Sequence, residues 1–163
     1  MVNVGMLKPR NIYEIECIGP TGNLKWREGG KNIVVNQGLD HSLSIITATA
    51  HVAAWHVGLT ATAASFAAAD TLASHAGWTE ITPYTGDRKA FTAGAISSQS
   101  VDNSASKASF AITTAATTIG GAFMCSVSSG TAGILYGGAT IAARAVANGD
   151  TVNVTITCGA EVT

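Results

Sequence analysis

Charge is what this chain has least of. Asp, Glu, Lys and Arg make up 12% of its 163 residues, about half of the roughly 25% usual in soluble domains. Nine basic residues stand against ten acidic ones, for a net charge of −1. Neutralising a phosphate backbone takes a clustered excess of Lys and Arg, so no nucleic-acid partner is expected. Cysteine is also scarce: Cys17, Cys125 and Cys158 are far apart and odd in number, with no CxxC pair. That spacing suggests neither a zinc knuckle nor a redox motif. The opening "MVNVGMLKPR" has no apolar core of signal-peptide length. The one long, mostly apolar run, Ala48 to Ala69, carries His51, His56 and several Thr. It falls short of the ~20 predominantly apolar residues of a spanning helix, and no membrane role is expected.

What fills the deficit is Ala, Thr, Ser and 18 Gly, within a hydrophobic fraction of 47%. A disordered chain has few hydrophobes and high net charge, so this one folds. Its length suits a single domain with its own core. Period-two alternation recurs along it. In "NIYEIECIGPTGNLKWRE" Tyr13, Ile15 and Cys17 share one face, and Glu14 and Glu16 the other. Leu24 and Trp26 resume the apolar face after the "GPTG" break, with Lys25 and Arg27 placed to pair across the hairpin. Trp55, Val57 and Leu59 share a face, as do Ala108, Phe110 and Ile112. Val152, Val154, Ile156 and Cys158 make the cleanest strand. Between the first strands, Asn36 caps an expected short helix with Leu39, Leu43 and Ile46 on its apolar face. Nine to eleven short strands with turn signals between them predict an all-β fold. The expected form is a jelly-roll or related Greek-key β-sandwich with one or two short helices.

Residues with chemical potential gather in "AADTLASHAGWTEITPYTGDRKAF", from Ala68 to Phe91. A metal site needs converging His and carboxylate ligands. Asp70, His75 and Glu80 are five apart, and nothing in that spacing forces them together. Asp70 has a simpler role as N-cap of a "DTLASH" turn. Trp78 is expected to pack inward, and Arg88 to close the loop by bonding carbonyls or Glu80. Asp70, Trp78, Glu80 and Arg88 thus form a candidate loop brace. No GxSxG elbow and no Gly-rich loop followed by Lys occurs. No catalytic, metal or cofactor residues are assigned, and the protein is not expected to be an enzyme.

"NIVVNQGLDHSL", "WHVGLT", "ADTLASHAGWTEITPYTGDRKAF", "NSASKASFAI", "TIGGAFM", "GTAGILYGG" and "VANGDTVNVTIT", in that order, resemble a family of small structural proteins of tailed bacteriophages. The resemblance runs from about Tyr13 to Thr157. It implies a capsid decoration or cement protein on the outside of the virion, with the major capsid protein as partner. The alternative in the same setting is a tail-associated or receptor-binding β module. Residues 1–10 are expected to form an extended N-terminal arm whose Lys8, Pro9 and Arg10 contact the capsid, ahead of a sandwich over 11–163. Open sheet edges invite pairing. A homodimer or trimer is therefore expected, with the charge-free span Ala108 to Ala143 contributing its interface.

Overall fold

The computed structural model describes residues 7–49 and 51–162. The chain forms an all-β sandwich, two antiparallel sheets with one α-helix. Strands β1 (Leu7–Ile18) and β2 (Leu24–Val34) make the predicted hairpin. Helix α1 (Asn36–Ile46) follows, then β3 (His56–Thr60). The short strands β4 (Glu80–Ile81), β5 (Lys89–Ala90), β6 (Ser100–Asp102) and β7 (Ala108–Ala111) come next. The chain ends with β8 (Thr117–Cys125), β9 (Leu135–Val146) and β10 (Thr151–Val162).

The strand order is β4-β3-β8-β9-β2-β1-β10-β6, with β5 also on β3 and β7 also on β10. One sheet holds β6 and β7 beside β10, then β1 and the first half of β2. The other holds the second half of β2, then β9, β8 and β3, with β4 and β5 at the edge. Strand β2 belongs to both: Leu24–Gly30 pairs with β1 and Lys31–Val34 with β9. Gly30 sits at the crossing, where an added Cβ would lie 2.6 Å from the Ala139 Cβ. This order establishes the sandwich; it does not establish a jelly-roll winding.

The alternation read from the sequence puts the right side chains inside. Tyr13, Ile15, Cys17, Val57, Leu59, Phe110, Val152, Val154 and Ile156 are fully buried between the sheets. A second cluster lies on the outer face of the β3–β8–β9 sheet, where Ala64, Leu72 and Trp78 of the 61–79 loop cover Phe123, Cys125 and Leu135. Strand β8 is therefore buried on both faces. Ile119, Ala122 and Met124 enter the first cluster, Phe123 and Cys125 the second. Much of the charge-free span Ala108 to Ala143 is interior, while Thr113–Ala116 and Ser129–Ala132 within it are exposed. The sheet edges are also less open than expected, since β4, β5, β6 and β7 are each two to four residues long. Short edge strands present little template for pairing.

The N-terminal expectation changes too. Met1 to Met6 lie outside the described residues, but Lys8, Pro9 and Arg10 belong to β1 and pair with Glu161, Ala160 and Gly159. They are part of the sheet rather than of a free arm, and the domain begins before residue 11. Pro9 fits because the N–H of Ala160 donates to the Gln99 carbonyl (3.1 Å), away from β1. Facing residues in an antiparallel ladder alternate between bonded and unbonded pairs. Pro9 sits in an unbonded one, so its missing N–H removes no ladder bond.

Helix α1 is turned opposite to the expected way. Its buried residues are Gly38 and His41, whereas Leu43 and Ile46 are 61% and 65% exposed. Asn36 is the first helical residue and not a side-chain cap; Val35 holds the cap position without a side-chain bond. Gly38 decides the orientation. A Cβ there would lie 2.1 Å from the Tyr136 carbonyl oxygen, so only glycine lets the helix backbone approach β9 this closely.

Candidate functional site

The Ala68–Phe91 segment gathers polar and aromatic side chains, and its geometry gives several of them partners within the fold. The loop leaves β3 and returns along itself: the Ala61 N–H donates to the Thr79 carbonyl (2.9 Å) and the Ser65 N–H to the Gly77 carbonyl (2.8 Å). Trp78 then points down onto the sheet and is 5% exposed. Its ring lies 4.9 Å from Phe123 and 5.0 Å from Phe66, and His75 stacks on it at 3.6 Å and 11°. The His75 Nδ1 lies 3.0 Å from the Trp78 carbonyl oxygen. A carbonyl only accepts, so Nδ1 carries the proton in this bond.

Asp70 is buried and its Oδ2 accepts two bonds, from the Trp78 Nε1–H (3.0 Å) and the Ala67 N–H (2.9 Å). It ties the loop backward to residue 67 rather than capping a helix ahead of it. Residues 71–76 are bends and irregular chain, not the expected helical turn. Arg88 is also buried, and it meets Glu80 by a two-pronged ion pair: Nε to Oε1 at 2.7 Å and the second prong to Oε2 at 2.6 Å. Its remaining prong donates to the Val127 carbonyl at 3.1 Å, and the guanidinium sits 5.2 Å from the Phe123 ring centre. The hydrogen bonds to Glu80 raise the Arg88 pKa further. Paired in this way, the charge tolerates burial. The structure thus brings Asp70 to Trp78 and Glu80 to Arg88, and both Trp78 and Arg88 lie against Phe123.

In this loop each candidate ligand has another partner. The Asp70 carboxylate faces the indole of Trp78, His75 is bonded to a backbone carbonyl, and Glu80 is committed to Arg88. Among the described residues no three His, Cys, Asp or Glu side chains gather as a metal cluster. The thiols are unreactive by environment. Burial pushes Cys17 up to about 11 and Cys158 up to about 12, and raises Cys125 as well. A thiol is a nucleophile only as thiolate, and these stay protonated at neutral pH.

One charged cluster was only half visible in the sequence. Glu16, 5% exposed, was expected to face Lys25 or Arg27. It does accept from Arg27 (2.7 Å), but also from Lys107 (2.6 Å) and Asn153 (3.4 Å). The bonds from Lys107 and then Arg27 hold its carboxyl down to about 2. Lys25 instead reaches Asp150 at 2.6 Å. Lys107 and Asn153 lie 91 and 137 residues from Glu16, and no local pattern points to them. The Lys8, Pro9 and Arg10 backbone borders a groove with Ile33, Val34 and Leu39, where β2 has left β1 to join the other sheet. These residues meet none of the loop-brace side chains. No family model matches the chain, and neither a curated protein nor a solved structure matches it.

Proposed function

We propose that this chain is a non-enzymatic virion structural protein, a capsid decoration or cement protein that binds the outside of a phage head shell through its major capsid protein. The observation that carries the reading is the state of the Ala68–Phe91 loop. Asp70, His75, Trp78, Glu80 and Arg88 are each bound to a neighbour within the fold, which stiffens the loop. A cement subunit needs shape and stiffness rather than turnover. The ordered resemblance from Tyr13 to Thr157 supports the phage setting, and the charge-poor composition suits a subunit packed among neighbours.

The tail-associated alternative draws less support. Glycan recognition calls for aromatic rings displayed on loops, whereas Trp78 is buried and Trp26 and Trp55 pack against the inter-sheet core. Imaging of particles assembled with and without this protein tests the reading. Extra density on the head surface, lost when the protein is omitted, is the expected result. Density on the tail, or no change on the particle, overturns it.

A further inference from the structure

The turn between β9 and β10 carries the only Asn–Gly pair in the sequence, Asn148–Gly149. The other seven Asn residues precede Val, Ile, Leu, Gln or Ser. The backbone nitrogen after an Asn can attack that Asn's side-chain amide, and a Gly there puts no Cβ in the way. Asn148 is exposed, so water reaches its amide. The fold holds the attacking nitrogen elsewhere. The Gly149 N–H donates to the Ile112 carbonyl (3.0 Å), and Gly149 is fixed in the left-handed region at φ +88°. Its neighbours pin the turn. The Asp150 N–H donates to the Ala147 carbonyl (3.0 Å), and the Ile112 N–H donates to the Asp150 carbonyl (2.8 Å). The buried Asp150 Oδ2 accepts from the Ala147 N–H (2.8 Å) and from the Lys25 Nζ (2.6 Å).

We propose that Asn148 is a site of spontaneous deamidation, paced by the opening of this turn. Only when the Gly149–Ile112 bond breaks is the Gly149 nitrogen free to swing toward the Asn148 side chain. That nitrogen then bonds to the Asn148 Cγ and gives up its proton. The amide nitrogen takes the proton and leaves as ammonia, which closes a five-membered succinimide. Water opens the ring by breaking one of its two C–N bonds. Cleavage at the side-chain carbonyl gives aspartyl at position 148. Cleavage at the main-chain carbonyl gives isoaspartyl, whose backbone is longer by one methylene. One water enters and one ammonia leaves, with no change of oxidation state. Either product sets a new carboxylate two residues from the buried Asp150 carboxylate, and like charges repel. The isoaspartyl backbone also misplaces Gly149 against Ile112. The closed turn therefore protects Asn148, and a turn once modified closes less well. The site does not depend on the shell-binding reading.

Folded and urea-unfolded full chain, aged in parallel in mildly alkaline buffer and mapped by peptide mass spectrometry, test it. The expected result is conversion at Asn148 ahead of every other Asn, with isoaspartyl among the products. Conversion in the folded chain should be more than about tenfold slower than in the unfolded chain, because it waits on local opening. Asp150→Ala loosens the turn and should speed conversion in the folded chain while leaving the unfolded rate unchanged. If Asp150→Ala does not fold, the ratio of folded to unfolded rates in the natural chain decides the matter. Aged protein should also melt lower than fresh protein, and Asn148→Gln should remove that loss. No conversion at Asn148 in either state, equal rates in the two, or a folded Asp150→Ala that converts no faster would each overturn the proposal.

Discussion

Replacing Trp78 with Ala tests whether the 61–79 loop is a structural layer. Trp78 is 5% exposed and is the hub of that layer, touching Phe66, His75 and Phe123. Truncating a buried Trp removes its transfer energy and leaves a cavity, together about 3–5 kcal/mol. The loss also strips Asp70, itself 8% exposed, of its indole donor. The expected fall in Tm is about 6–20 °C, at the ~2–4 °C per kcal/mol of a chain this size. Trp78→Phe separates the two contributions. It keeps most of the ring packing and loses the bond to Asp70, for about 1–3 kcal/mol. His75→Ala removes a half-exposed stacking partner and should cost about 0.5–1.5 kcal/mol. Urea unfolding of the three variants, followed by Trp fluorescence where Trp26 and Trp55 remain and by circular dichroism, reads all of these. If Trp78→Ala costs less than His75→Ala, the loop is not packed on Phe123 and the brace is not what stiffens it.

Acid should weaken the fold through Glu16. Its carboxyl is held at about 2 against a usual 4.5. The stabilisation is therefore complete above pH ~4.5 and is lost as pH falls toward 2. The full shift corresponds to about 3 kcal/mol; Arg27 is half exposed, so water screens part of it, and about 1–2 kcal/mol is expected. Glu16→Gln should flatten that part of the pH–stability curve, and an unchanged curve would remove Glu16 from the account. Gly38→Ala should cost about 1–3 kcal/mol by forcing α1 off the Tyr136 carbonyl, seen as a lower urea midpoint; a neutral effect would mean the helix is not seated there. Deleting residues 1–10 should lower the melting temperature, because it strips the β10 backbone of its partners at Gly159–Val162. An unchanged melt would return those residues to a free arm.

The sequence by itself determined the class of fold and the inward face of the long strands. Tyr13, Ile15 and Cys17, then Ala108, Phe110 and Ile112, then Val152, Val154 and Ile156, are buried as their alternation requires. A two-residue period leaves a strand only one way to bury its apolar side. It also offered Arg88 a choice of backbone carbonyls or Glu80, and the structure uses both, Glu80 and the Val127 carbonyl. Other features came from tertiary structure alone. The charge-free β8 reads the same whether one face is buried or two, and only the returning loop with Leu72 and Trp78 covers the second. Glu16 acquires Lys107 and Asn153 through strand neighbours distant in the chain. Helix α1 shows the limit most plainly. Its apolar stripe of Leu39, Leu43 and Ile46 predicts a core face, yet the core accepts Gly38 and His41 instead. Periodicity says which residues share a face, but not which partner that face meets. Here close approach of a glycine to the β9 backbone decided the matter, and the apolar stripe was left facing outward.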